Sequence, residues 1–320
     1  MKLLRLGTLL AAAALVFAPV AANADQIRIA TQPIPQYAPI FVAKQKKWLD
    51  EELAKAGSPT IKWASFAAGP PINEAFAAGQ QDIGFLGDTP ALIGKSAGID
   101  TRIVGITASG PKSLAVVVAA GSPIKAAKDL KGRKVAVTKG SYAQHLLALV
   151  LEQGGLTFKD IELINLPNGE VPTALLAGNI DAGAVWDPVL AKYEAEKALR
   201  VLADGTGIKA GVLVILASGE FATRKRDQVK ALLKAYERGA EYIKSNPREA
   251  ARLIGEDVKL PPELVEQVLA KLDFNAAIHD HDVDEIKKTE AYLRQIALTR
   301  EAVDVERFAD RTLGREGGLK

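Results

Sequence analysis

Four short segments of this chain group small, polar and aromatic residues as a pocket for a small anion requires. They are Thr31-Gln32-Pro33-Ile34-Pro35-Gln36-Tyr37, Gly87-Asp88-Thr89-Pro90, Thr138-Lys139-Gly140-Ser141-Tyr142 and Trp186-Asp187-Pro188. In two of them a short hydroxyl residue stands where a helix should begin. Thr89 reads as a cap with Pro90 at the first helical position, and Ser141 precedes a helical stretch. The first turn of a helix carries unpaired N–H groups and a partial positive charge, so either start can hold an oxyanion without an arginine. Plain capping is the competing account. Lys139 is either a counter-charge or a solvated lysine. Trp186 either floors a pocket or packs between sheet and helix. Asp88 and Asp187 either accept hydrogen bonds from a ligand amine or order their own loops, and the following Pro188 favours the turn role for Asp187.

Catalytic sets are scarce. Ser141 and His145 stand four apart on one helix face, but Thr-Lys-Gly-Ser-Tyr lacks the Gly-x-Ser-x-Gly elbow, so capping plus a half-exposed histidine is the reading. Ile278-His279-Asp280-His281-Asp282 carries two imidazoles two apart with carboxylates between them. His145 is the chain's only other histidine, so a solvated loop ending in an Asp282 cap is favoured over a metal site. Gly205-Thr206-Gly207 lacks the rest of any phosphate-loop fingerprint. The chain has no Cys, which removes disulfides, thiolate metal sites and cysteine nucleophiles together. No metal or cofactor is expected.

The elements that position the four loops follow from periodicity. Strands at Gln26 to Ala30, Ile61 to Ala67 and Ile83 to Leu86 alternate with helices from Ile40 to about Ala56 and from Pro70-Pro71 to Gly79. The order returns as strand Lys134 to Val137, helix Tyr142 to Gln153, strand Ile161 to Leu166, helix Pro172 to Ala177 and strand Ala182 to Trp186. Ala78-Gly-Gln-Gln-Asp-Ile-Gly84 even matches Ala177-Gly-Asn-Ile-Asp-Ala-Gly183 letter for letter at four positions. Two similar α/β lobes with parallel strands follow. The strands Leu114 to Ala119 and Gly211 to Leu216 are read as crossing between lobes, giving lobe one as 25–119 plus 211–320 and lobe two as 120–210. Beyond Asp227 the chain is helical, and Val229, Leu232, Leu233, Tyr236, Ala240 and Ile243 form a stripe that packs on lobe one.

Charge and composition narrow the function. The chain of 320 residues has 48% hydrophobic and 25% charged residues, an ordinary globular balance, and 41 Lys+Arg against 38 Asp+Glu give a net charge of +3. Such a surface has no basic stripe for nucleic acid. Lys2 and Arg5 precede an apolar run from Leu9 to Phe17, with small residues at Ala22-Asn23-Ala24, so residues 1–24 read as a signal peptide cleaved after Ala24. Removing Lys2 and Arg5 leaves 39 basic against 38 acidic residues. The mature protein is expected to be soluble and exported, to the periplasm in a bacterium.

Taken in order, Phe66-Ala-Ala-Gly-Pro-Pro71, Phe85-Leu-Gly-Asp-Thr-Pro90, Ser122-Pro-Ile-Lys125 with Asp129-Leu-Lys-Gly-Arg-Lys-Val-Ala136, Lys139-Gly-Ser141 and Trp186-Asp-Pro188 resemble the periplasmic substrate-binding proteins of ABC importers for aliphatic sulfonates and taurine. The resemblance spans roughly residues 26 to 220. It implies a two-lobed periplasmic-binding-protein fold with two interdomain crossover strands (type II), closing over a small organic anion and delivering it to a membrane permease as a monomer, with no enzyme activity. It further implies sulfonate contacts near Gly87-Asp88 and Gly140-Ser141, with the first loop and the Trp186 segment at the organic end. The expected ligand-lining residues are Gln32, Tyr37, Gly87, Asp88, Thr89 and Ser109 from lobe one, and Lys139, Gly140, Ser141, Tyr142, Trp186 and Asp187 from lobe two. Two departures bear on the ligand. Thr89-Pro90-Ala91 stands where an aliphatic residue and two prolines are common, and Tyr142 follows Ser141 where a second hydroxyl residue is frequent. A tyrosine there either shrinks the pocket or selects an aromatic ligand. Relatives of this scaffold take nitrate, bicarbonate or heterocyclic vitamin precursors, and some build pyrimidine precursors using histidines and a cysteine.

Overall fold

The computed structural model describes residues 26–57 and 60–319. The expected signal peptide and its cleavage site lie outside them. Eleven strands are described: β1 Gln26–Thr31, β2 Thr60–Ser65, β3 Ile83–Gly87, β4 Thr101–Ser109, β5 Leu114–Ala119, β6 Lys134–Val137, β7 Glu162–Asn165, β8 Ala182–Trp186, β9 Leu199–Asp204, β10 Leu213–Ser218 and β11 Asp273–Phe274. Helices α1 Ala38–Gln45, α2 Trp48–Lys55, α3 Gly69–Ala77 and α4 Asp88–Ser96 alternate with the first strands, and α5 Tyr142–Gln153, α6 Val171–Leu176 and α7 Val189–Ala195 with the second set. The tail adds α8 Gly219–Arg224, α9 Arg226–Ser245, α10 Pro247–Leu253, α11 Gly255–Val258, α12 Pro262–Leu269, α13 Asp280–Gln295, α14 Val305–Phe308 and α15 Arg311–Glu316. No described helix is long and apolar enough to cross a membrane.

The strands form two sheets, ordered β11-β4-β10-β3-β1-β2 and β7-β6-β8-β5-β9. In the first, β1 runs parallel to β2 and β3, while β10 is inserted antiparallel between β3 and β4. In the second, β6 runs parallel to β7 and β8, while β5 is inserted antiparallel between β8 and β9. Each lobe therefore borrows one antiparallel strand from chain that has just crossed over. Successive strand residues enter different cores: Ile29 and Phe85 face one, Ala30 and Leu86 the other. Strands buried on both faces read as continuous apolar runs, which is why Ile83–Gly87 and Ala182–Trp186 lack polar alternation.

The repeated motif has a repeated job. Asp82 accepts from the Arg28 backbone N–H at 2.8 Å, and Asp181 accepts from that of Lys134 at 2.8 Å, so each aspartate pins the start of the first parallel strand in its own sheet. The last glycine lets a helix lie close, because a Cβ on Gly183 would come 2.3 Å from Val171 Cγ1.

Several sequence expectations shift. Leu114–Ala119 belongs to the second sheet, so the first crossing falls at 110–113 rather than at the boundary of 119, and the return occupies 205–212. The helix expected over 40–56 is two helices, because Lys47 adopts φ 64, a left-handed conformation that ends one run and redirects the next. The segment from Asp280 is helix rather than loop: α13 begins there after His279 as cap residue, and Asp282, in its first turn, accepts from the His279 N–H at 2.8 Å. The α9 stripe is buried throughout and packs on α1 and α2, with Tyr236 donating to the Thr107 carbonyl at 2.8 Å.

Candidate ligand-binding cleft

The carboxyl ends of β1, β3, β6 and β8 converge between the sheets, as expected of open parallel sheets. They enclose a cavity of about 10 Å³, room for roughly one water. Its walls are Gln32, Ile34 and Tyr37 from the loop after β1, Gly87 and Pro90 at the start of α4, Ser141 and Tyr142 at the start of α5, and Trp186 at the end of β8, with Gly69 and Leu213. The first turns of α4 and α5 thus meet from opposite lobes. None of these side chains is ionised, so a bound anion would rest on N–H and O–H dipoles rather than on a counter-charge.

Gly140 is where the chain turns into α5. It has φ +76, and a Cβ there would sit 3.3 Å from Pro70 of the other lobe. Its N–H donates to Gln144 Oε1 at 2.6 Å, and Ser141 Oγ caps the helix by accepting from the Gln144 N–H at 3.3 Å. The Ser141 hydroxyl proton is left for another acceptor. The Tyr142 ring lies 5.7 Å from that of Trp186, tilted by 56°. Burial, then the charge of Asp187, push the Tyr142 phenol far up, with the neighbouring Ser113 and Gln36 opposing, so it stays protonated and a donor. Tyr142 and Trp186 both wall the cavity. Across from it, Gln32 Nε2 donates to Tyr37 Oη at 3.0 Å and to the Phe85 carbonyl at 3.4 Å.

Both aspartates are committed elsewhere. Asp88 is fully buried, and Lys209 donates to its two oxygens at 3.1 and 2.8 Å while Thr289 donates at 2.8 Å. Burial pushes the Asp88 carboxyl up, but the Lys209 ammonium prevails and holds it below its ordinary value. Thr89 does not cap: α4 starts two residues earlier than expected, with Gly87 at the cap position, and both the N–H and the hydroxyl of Thr89 donate to Asp88 Oδ1. Asp187 Oδ1 accepts from the Ala191 N–H at 2.7 Å, the loop-ordering role, and Lys271 pairs with Oδ2 at 3.2 Å. Burial nevertheless raises the Asp187 carboxyl to about 6, with Lys271 opposing.

Lys139 is exposed, and its backbone N–H donates to Asn165 Oδ1 at 2.9 Å. Ser109 ends β4 opposite Asp273. Neither borders the cavity. Ser141 and His145 form no nucleophile and base pair, because neither imidazole nitrogen has a hydrogen-bond partner among the described residues, and His145 is buried rather than half-exposed. Gln36, Lys209 and Lys271 were not legible as site residues. Gln36 Nε2 bridges the lobes to the Asp187 carbonyl at 2.6 Å across 151 residues. Only Gln36, lying within a loop already singled out, had a local signal.

A family model described as NMT1/THI5 like matches residues 34–250. A protein of Escherichia coli (strain K12) described as aliphatic sulfonates-binding is 34% identical over 230 residues, 72% of this chain and 71% of its own length. A Bacillus subtilis (strain 168) protein of the same description is 30% identical over 290 residues, 90% and 86% of the two chains. Among solved structures, the alkanesulfonate-binding protein SsuA from Xanthomonas axonopodis pv. citri, bound to MOPS, superposes with a TM-score of 0.81 at 28% identity. That match covers 91% of this chain and 100% of that one.

Proposed function

The chain belongs to the NMT1/THI5-like family, and from that membership we propose that it is an exported receptor that captures an alkanesulfonate between its lobes and presents it, unaltered, to an ABC permease. The observation that carries this reading is the pair of helix starts, α4 and α5, meeting from opposite lobes at a cavity walled by neutral side chains. An oxyanion bound there bridges both lobes and so stabilises their closed arrangement by its differential affinity for it. The relatives' descriptions as sulfonate-binding proteins support the ligand class. We assign anion contacts to the Gly87 and Gly140-Ser141 turns, and the organic end to Tyr142, Trp186 and the Gln32 to Tyr37 loop.

Asp88 and Asp187, the carboxylates nearest the cleft, are held by Lys209 and Lys271. A ligand ammonium would be buried without a counter-charge, which costs more than burying a methyl group. Short alkanesulfonates are therefore preferred over taurine. A thermal-shift panel of methanesulfonate, ethanesulfonate, octanesulfonate, taurine, nitrate and benzoate tests this, since a ligand of the native state at 100 times its Kd stabilises by about 2.7 kcal/mol. The largest midpoint rise is expected with the short alkanesulfonates. No rise with any sulfonate would overturn the ligand class, and a rise with nitrate or benzoate alone would replace it.

A further inference from the structure

One helical turn beyond Ser141 the lobes meet again. His145 of α5 is 3% exposed, and its ring stacks on that of Tyr292 of α13 at 5.1 Å and 27°. Neither ring nitrogen has a hydrogen-bond partner among the described residues. A cavity of about 620 Å³ adjoins the ring, bounded by both crossing segments at Pro111 and Ile208, by Leu149, and by Glu285 and Lys288 of α13. The imidazole belongs to lobe two, whereas Tyr292 and the Asp88–Lys209 pair beside it belong to lobe one and the return crossing.

We propose that His145 is a closure sensor: bringing the lobes together strips water from both ring nitrogens and replaces it with nothing, so the closed form is held back until a ligand offsets the cost, and a protonated ring keeps the lobes apart. The proposal rests on the sulfonate-receptor reading only for the identity of that ligand.

A neutral imidazole has one donor and one acceptor, and burying both unmet carries their full desolvation penalty. A cationic ring would add repulsion. Lys209 of the return crossing opposes charge on the ring, Asp88 of α4 favours it, and Glu285 and Lys288 face the same cavity from α13 with opposite signs. Tyr292 stays neutral, because burial and Glu152 push its phenol up. Burial first, and Lys209 second, lower His145 to about 3, against an ordinary value of about 6.5. Closing therefore expels a proton wherever the open protein holds one: closure is fully favoured above about pH 6.5 and is lost as the pH falls. Asp187 acts with the opposite sign, since its carboxyl, raised to about 6 by burial, takes up a proton on closing. A variant at position 145 separates the two.

His145→Phe keeps the stacked ring and removes both nitrogens. The chain has no cysteine, so Lys159→Cys and Glu263→Cys accept one fluorophore on each lobe for energy-transfer measurement. With no ligand present, the variant should be more closed than the parent, and the ratio of their open-to-closed constants should change by about tenfold between pH 7.5 and 5.5. Because this arm needs no ligand, it stands even where ethanesulfonate fails to bind. Ethanesulfonate Kd values should show the same widening ratio. Matching distance profiles for parent and variant at both pH values would overturn the proposal. Where the variant misfolds, proton NMR of the parent decides: the His145 resonance should titrate near 6.5 in the empty protein and not above pH 4 in the loaded one, and identical midpoints would overturn the sensor.

Discussion

At the scale of single residues, the hydroxyl of Ser141 does two separable things. Its oxygen accepts from the Gln144 N–H at 3.3 Å, a long bond, and its proton is directed by nothing else in the described structure. Ser141→Ala should therefore weaken alkanesulfonate binding by roughly 1.5–3 kcal/mol, about one to two decades, the loss of one hydrogen bond to a charged group. It should lower the stability of the empty protein by about 1 kcal/mol through the lost cap. Calorimetric titration reads the first effect and denaturant unfolding the second. Reduced stability with unchanged affinity would shift the donor role to the Gly87 turn. Ser141 was legible because a cap announces itself locally, by a small polar residue before a helical period. Thr89 announced itself in the same way and was misread, since its hydroxyl donates to the neighbouring Asp88 instead. The commitment of Asp88 to Lys209 lies 121 residues away in the chain, and periodicity carries no such information.

Among elements, the two copies of Ala-Gly-x-x-Asp-x-Gly show how far pattern can reach. Each copy ends a helix, pins a neighbouring strand through its aspartate and admits the helix through its last glycine. For Gly183 the neighbour is α6, and Val171 Cγ1 would lie 2.3 Å from an added Cβ. Gly183→Ala should thus destabilise the protein by about 1–3 kcal/mol, the usual cost of overpacking, with α6 displaced from β8. Pairing it with Val171→Ala should recover most of that loss, and chemical denaturation of the single and double variants measures the coupling. An equal loss in both would mean the strain is held in the strand backbone. The parallel strands and their helices were legible because each is built from contiguous periodic residues. Strand β5 falls in the second lobe rather than, as expected, the first: an apolar run such as Leu114–Ala119 suits either sheet, and what decides is pairing with β8 and β9, a property of residues far along the chain.

Across the whole molecule, the link from Lys271 to Asp187 makes closure an electrostatic event as well as a steric one. Lys271 stands in lobe one after α12, and its ammonium reaches Asp187 at 3.2 Å and Glu194 at 3.1 Å in lobe two. Asp187 is fully buried in this arrangement. In Lys271→Met the closed form would hold that carboxylate without its cation, whereas separated lobes would let water reach it. Truncating one partner of a buried pair costs about 2 kcal/mol or more, so affinity should fall roughly thirtyfold at pH 7.5 while the melting point of the empty protein changes little. The pH dependence fixes the mechanism. In the parent, burial raises this carboxyl to about 6 with Lys271 opposing; without Lys271 it stands higher still in the closed form, favours closure once it is protonated, and loses that favour as pH rises. Compared with the parent at the same pH, the variant should accordingly recover affinity between pH 7 and 5, and Lys271→Met combined with Asp187→Asn should track the parent at both. Titration calorimetry across that range distinguishes this from plain structural support, for which the melting point of the empty protein would drop and the affinity loss would be the same at every pH.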